Sequence, residues 1–267
     1  MHYNPNELFR STASYYARYR SGYPQEFIDH LVARFALDGT QQVLDLGCGT
    51  GQIALPLAPH VARVLAIDPE PSMLTEGQRL AKERDTANID WIVGDSYRLS
   101  DLNLPELTLV TMGAAFHWMD RDAVLAELDQ RILLDGAVVI ASGGAPETQT
   151  PPPWNDTITA MRTKYLGPAR RAGSSTYSHP EERHADVLRR SSFSHVDIVE
   201  WTWTLERDLD SLVGLQFSFS FSAPTQFDSE EEREAFERDL RDALTEQFPS
   251  GVFHEQIRTE ALIATRP

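Results

Sequence analysis

The run Val43-Leu44-Asp45-Leu46-Gly47-Cys48-Gly49-Thr50-Gly51 starts as an apolar strand and ends in glycines at every second position. A helical stretch follows it, to about His60. Glycines in such a turn let the backbone approach a ligand with no Cβ in the way. The following helix adds free N–H groups at its first turn. Glycine spacing separates two ligand classes. A dinucleotide site uses G-x-G-x-x-G, with a pyrophosphate at the helix start. Its third glycine would fall at residue 52, which is Gln52. The pattern present is G-x-G-x-G, which suits a ligand without phosphates.

Outward from this loop, strands and helices alternate. Val61 to Ile67 reads as a second strand ending at Asp68, and Pro69 to Arg84 as a helix with Pro71 in its first turn. Ile89 to Val93 is a third strand, ending at Gly94-Asp95-Ser96, and Leu107 to Met112 a fourth. Arg121 to Leu133 reads as a helix and Ala137 to Ala141 as a fifth strand. This rhythm predicts an α/β fold with a doubly wound, mostly parallel sheet and helices on both faces. An Asp68 carboxylate about twenty residues after the loop can accept hydrogen bonds from both hydroxyls of a ribose. Asp95, or the backbone beside it at Ser96, can meet an adenine amino group. Glycine loop, Asp68 and Asp95 fall at three adjacent strand ends, the crevice where open α/β sheets bind ligands.

The remaining segments flank this core, expected at 41–145. Residues 1–40 read as a helical cap, with Phe27, Ile28, Leu31, Val32 and Phe35 at helical spacing. The rhythm breaks at Gly143-Gly144 and at Pro151-Pro152-Pro153, so 146–194 is expected to be an inserted lid. Residues 195–267 are expected to complete the sheet with strands at Val196–Leu205 and Ile257–Thr265. Between them lie an apolar, serine-rich stretch and a helix from Glu230 to Gln247 with a Phe236, Leu240, Leu244 stripe.

Composition narrows the function classes. No apolar run approaches the ~20 residues that span a bilayer, and MHYNPNELFR has no apolar signal-peptide segment. A single cysteine, Cys48, allows no internal disulfide and fits a reducing cytoplasm. No Cys/His cluster suggests a metal site. A net charge of −16 repels phosphate backbones, so no nucleic-acid partner is expected; it favours a cationic small molecule. The oligomeric state is not legible.

Taken together, these motifs resemble the class I S-adenosylmethionine-dependent methyltransferases, in the small-molecule branch with the ubiquinone-pathway and trans-aconitate enzymes. VLDLGCGTG carries the resemblance, with AIDPEPSML (66–74), VGDS (93–96), LTLVTMGAAFHWMD (107–120) and YYARYRSGYP (15–24) beside it. The resemblance implies a Rossmann-like sheet of seven strands with an antiparallel last strand. It also implies S-adenosylmethionine as the donor, with no metal. It sets Asp45, Gly47, Gly49 and Gly51 around the methionine part of the donor and Asp68 at the ribose. Met73, Asp95 and Ser96 fall at the adenine, and Tyr15 and Arg20 at the donor carboxylate. The chain lacks the Asn/Asp-Pro-Pro-Tyr run of the amino-purine and glutamine methylating types.

Methyl transfer needs alignment, exclusion of water and, for a protonated nucleophile, a base. His117, just past the fourth strand, is the candidate base, with Phe116 and Trp118 as pocket walls. Asp120 is expected to cap the next helix. The acceptor is a small molecule with an N or O nucleophile. The overall charge favours an amine, such as that of an amino sugar in a secondary-metabolite (antibiotic) pathway. The lid cations Arg162, Lys164, Arg170 and Arg171 favour a carboxylic acid or hydroxyl, with Trp154, Tyr165 and Tyr177 as aromatic walls. A nicotinamide oxidoreductase and a donor-binding cyclase are the readings from other classes.

Overall fold

The computed structural model describes residues 8–144, 151–173, 175–176 and 180–267; Tyr177 lies outside them. In chain order the elements are α1 (Ala13–Tyr19), α2 (Gln25–Arg34), β1 (Gln42–Leu46), α3 (Ala54–Leu57), β2 (Arg63–Asp68), α4 (Pro71–Glu83), β3 (Ile89–Val93), β4 (Leu107–Gly113) and α5 (Arg121–Asp129). Then follow β5 (Ile132–Gly144), α6 (Asn155–Leu166), β6 (Arg171–Ala172), β7 (Ser175–Thr176), α7 (His184–Arg189), β8 (His195–Asp208), α8 (Leu209–Gln216), α9 (Glu230–Gln247) and β9 (Val252–Thr265). Seven strands form one sheet in the order β3-β2-β1-β4-β5-β9-β8. Strands β1 to β5 pair in parallel, and β9 runs antiparallel to β5. The doubly wound sheet and the antiparallel last strand are thus as expected.

Strand period explains the two-sided core. Val43, Val64, Leu109 and Val139 point to one face and pack with Phe27, Ile28 and Leu31 of α2 and Leu74 of α4. Leu44, Leu46, Leu65, Val110 and Ile140 point to the other and pack with Val124, Leu125 and Leu128 of α5 and Val187 and Leu188 of α7. Central strands covered on both faces read as unbroken apolar runs, which is why β1, β2 and β4 were legible.

Boundaries differ where pairing overrides local pattern. The helix expected to Leu133 ends at Asp129, because Ile132 already pairs with Leu107 across a register shift. Leu134, just past that expected end, is 86% exposed. The serine-rich stretch after β8 contains the helix α8, capped by Asp208, which accepts from Ser211 N at 2.7 Å.

The chain divides into two compact units. One comprises 22–144, 179–201 and 258–267 and holds the sheet core. The other, here called the helical unit, comprises 1–21, 145–178 and 202–257. Its own core gathers Phe217 and Phe227 with the expected α9 stripe Phe236, Leu240 and Leu244.

Candidate functional site

Strand β1 delivers the chain into residues 47–53, and two glycines there have no substitute. Gly47 has φ +72°, and a Cβ on it would lie 2.5 Å from the Ala115 Cβ. Gly51 has φ +86°, and a Cβ would meet the Trp91 ring at 2.6 Å. The loop is pinned from below: Gly47 N and Cys48 N both donate to Ile67 O, at 2.8 and 3.0 Å. Within the loop Gly51 N donates to Cys48 O at 2.9 Å. One group is left over. Thr50 Oγ1 is buried and has no hydrogen-bond partner among the described residues.

Asp68 ends β2 and faces the loop. Its two oxygens accept from Gly49 N at 2.8 Å and Glu70 N at 2.9 Å. A carboxylate has about four lone-pair sites, so it keeps capacity for further donors. Burial pushes its pKa up to about 6. Asp45 lies deeper, 1% exposed, and accepts from Thr111 Oγ1 at 2.8 Å and Ala54 N at 3.1 Å. Burial raises it to about 7, against the lowering by those two bonds. Asp45 therefore holds β1, β4 and the start of α3 together beneath the loop. Cys48 is buried, and burial with the Asp68 and Asp45 charges pushes its thiol well above the ordinary range, which leaves it unreactive.

The neighbouring strand ends complete the rim. Met73 is buried in the first turn of α4, behind the Glu70 cap and Pro71. Asp95 accepts from Tyr97 N at 2.9 Å and caps the 3-10 turn Ser96–Asp101. The Tyr97 phenol is raised first by burial, then by the Asp120 and Asp95 charges. Asp120 caps α5 as expected, accepting from Ala123 N at 3.1 Å. Ala114, between β4 and the turn Phe116–Trp118, takes φ +50°, a conformation that costs a non-glycine residue about 1–2 kcal/mol.

His117 sits half-buried in that turn, its ring 4.7 Å from Trp118 and stacked 6.4 Å from His184. His184 was not singled out in the sequence; it opens α7, far along the chain. Burial and the Arg121 cation lower its pKa to about 4, and its Nδ1 faces Arg121 Nη1 at 3.3 Å. It is therefore neutral at neutral pH. Phe116 is 1% exposed, packed in the apolar cluster with its ring edge toward His184.

Three expected site residues belong to the helical unit. Tyr15 packs on Tyr19 and Phe217. Arg20 donates through Nε to Ser218 Oγ at 2.9 Å and lies 4.1 Å over the Phe219 ring. Trp154 is buried against Phe248 and Phe253. The sheet unit by itself brings together Asp45, the glycine loop, Asp68, Met73, Asp95, Ser96 and the His117 turn. They stand at the ends of β1, β2, β3 and β4, around the point where strand order reverses between β1 and β4. Among the described residues no group of acidic, His or Cys side chains could hold a metal, and no helix is long and apolar enough to cross a membrane.

Comparison with known proteins agrees with this geometry. Residues 43–136 match the family described as a methyltransferase domain. The chain is 25% identical over 132 residues to a probable S-adenosylmethionine-dependent methyltransferase of Saccharomyces cerevisiae, covering 49% of this chain and 44% of that one. It is 24% identical to an uncharacterized methyltransferase-like protein of Schizosaccharomyces pombe, over 94% of this chain and 91% of the other. The chain spans about half the length of several curated relatives it matches. The crystal structure of a putative type II methyltransferase from Anaeromyxobacter dehalogenans superposes with a TM-score of 0.54 at 18% identity, covering 92% of this chain and 97% of that one; that likeness is one of fold. Residues 43–136 thus carry a methyltransferase domain, and the sheet order around it is that of the Rossmann-like α/β fold.

Proposed function

We propose that the chain transfers a methyl group from S-adenosylmethionine to a nitrogen or oxygen nucleophile of a small molecule. The glycine loop that ends β1, facing an Asp68 carboxylate with lone pairs to spare, carries this reading. Gly47, Gly49 and Gly51 would surround the methionine part of the donor, with Asp45 beneath them. Asp68 would use its remaining lone pairs on the ribose, and Met73, Asp95 and Ser96 would border the adenine. When bound, the donor supplies a methyl carbon already activated by a positive sulfur. The chain's own task is to align the acceptor, exclude water and take the proton that the nucleophile gives up. His117 is the group for that last step, at the end of β4, with Trp118 beside it.

For the acceptor, the net charge of −16 supports an amine, as in an amino sugar. The lid cations support a carboxyl or hydroxyl group. A reducing, cytoplasmic compartment rests on the lone, buried Cys48.

Calorimetric titration with S-adenosylmethionine, S-adenosylhomocysteine and NADH tests the donor site. Binding of both sulfur ligands and not of NADH is expected. Asp68→Ala should weaken them by about 1–3 kcal/mol, the range for a lost hydrogen bond to a charged group. Binding of NADH alone, or of nothing, overturns the proposal; unchanged affinity in the variant removes Asp68 from the ribose.

A further inference from the structure

Several cations of the helical unit, the buried Arg207 among them, pair with carboxylates. Lys164 meets Asp239 at 2.5 Å, Arg207 meets Glu255 at 2.9 Å, Arg233 meets Glu230 at 2.6 Å, and Arg241 meets Asp210 at 2.6 Å. The whole chain has 40 acidic side chains for 24 Lys and Arg, so carboxylates are in surplus. Against that background Arg162 stands out. It is 7% exposed, and no carboxylate pairs with it among the described residues. Its Nη1 donates to Gly167 O at 3.1 Å and, weakly, to Ala169 O at 3.5 Å; its Nη2 reaches Thr163 Oγ1 at 3.4 Å. These acceptors are neutral, and a guanidinium has five N–H donors in a fixed fork.

A second cation, rather than an anion, shares an aromatic ring with it. Arg170 is exposed, and it too has no carboxylate partner among the described residues. Both guanidinium carbons lie over the Phe221 ring, Arg162 at 5.9 Å and Arg170 at 5.1 Å from its centre. Burial, then the Arg170 charge, lowers the Arg162 pKa. A buried cation is ordinarily paired, and two adjacent guanidinium groups repel. An oxyanion between them removes both costs, since the guanidinium fork matches carboxylate and phosphate oxygens alike.

We propose that Arg162 and Arg170 form a binding site for a small oxyanion, a carboxylate or phosphate group of a ligand. Arg162 is the fixed half, held by the carbonyls after α6; Arg170 is the exposed half through which the ligand enters. The site gives the acid-acceptor reading a location, and it rests on that reading only for the role of the ligand.

Titration of the full chain with benzoate, citrate and inorganic phosphate, at constant ionic strength set with chloride, tests the site. At least one probe should bind with a dissociation constant in the millimolar range or tighter. Arg170→Gln should weaken that binding tenfold or more without unfolding the chain, because Arg170 is exposed and has no ion pair among the described residues. Arg162→Gln should abolish it; if that variant fails to fold, Arg170→Gln still decides. Arg238→Gln, at an exposed position on α9, should leave it unchanged, and S-adenosylmethionine affinity should be the same in all folded variants. Carboxylate binding without phosphate binding assigns a carboxylic acid ligand, and the reverse a phosphoester. Failure of all three probes, binding that survives Arg170→Gln, or an equal loss in Arg238→Gln overturns the site. Loss of S-adenosylmethionine binding in the wild type would instead overturn the proposed function and leave the oxyanion result standing.

Discussion

Asp45 and Asp68 look alike in sequence, each at the end of an apolar strand, and the structure gives them different work. Both oxygens of Asp45 are taken by Thr111 and Ala54, in a position without solvent. Asp68 spends one bond per oxygen on the backbone and lies at the loop. His117 was legible as a candidate from its place after β4. His184 was not, because 67 residues separate it from His117 and only folding stacks the rings. A neutral His184 puts no second positive charge beside the His117 ring when that ring takes a proton. His117→Ala is expected to lower kcat by on the order of 10²-fold, the low end for a lost general base. Donor affinity should hold. A turnover assay with acceptors found among amines and carboxylic acids measures the first, and calorimetry the second; wild-type turnover would take His117 out of the mechanism.

At the scale of elements, the glycine loop was the most legible feature, since its residues answer to backbone geometry alone. What the loop packs against was not legible. Ala115 and Trp91 come from β4's far end and from β3, and they set how little room Gly47 and Gly51 have. Gly47→Ala combines a left-handed backbone with a 2.5 Å contact to Ala115. It is expected to destabilise the chain by about 1–2 kcal/mol or more. For a chain of this size that is a fall of a few degrees in Tm, with weaker S-adenosylmethionine binding as the loop shifts. A melting curve matching wild type would show that the loop yields without cost. Strand β5 teaches the opposite lesson: Ile132, Leu133 and Leu134 continue the apolar spacing of α5, yet pairing of Ile132 with Leu107 ends the helix early. One ladder bond made across the sheet outweighs a local preference worth tenths of a kcal/mol per residue.

Over the whole molecule, the buried carboxylates set a pH dependence. Asp45 titrates near 7 and Asp68 near 6 in the folded chain, against about 3.9 when unfolded. The native state therefore binds more protons than the unfolded state between these values. Their contribution to stability is greatest below about pH 4 and falls as pH rises through 6 and 7. Asp45→Asn removes the largest part: its amide oxygen can still accept from Ala54 N, and its NH₂ can donate to Thr111 Oγ1, which turns to Leu44 O at 3.5 Å. The Tm of this variant minus that of wild type should be near zero at pH 4 to 5 and rise to a plateau above pH 7. A difference that is flat with pH would mean that Asp45 stays ionised throughout. The sequence by itself determined the sheet class, the glycine loop and the acidic strand ends. Each of these is written in a few consecutive residues, in strand period, glycine spacing and strand length. Only the tertiary structure decided which cations lack a carboxylate, which aromatic side chains are core, and which histidine stands beside His117. Those facts belong to pairs of residues far apart in the chain, and burial and charge pairing exist only once the chain has closed on itself.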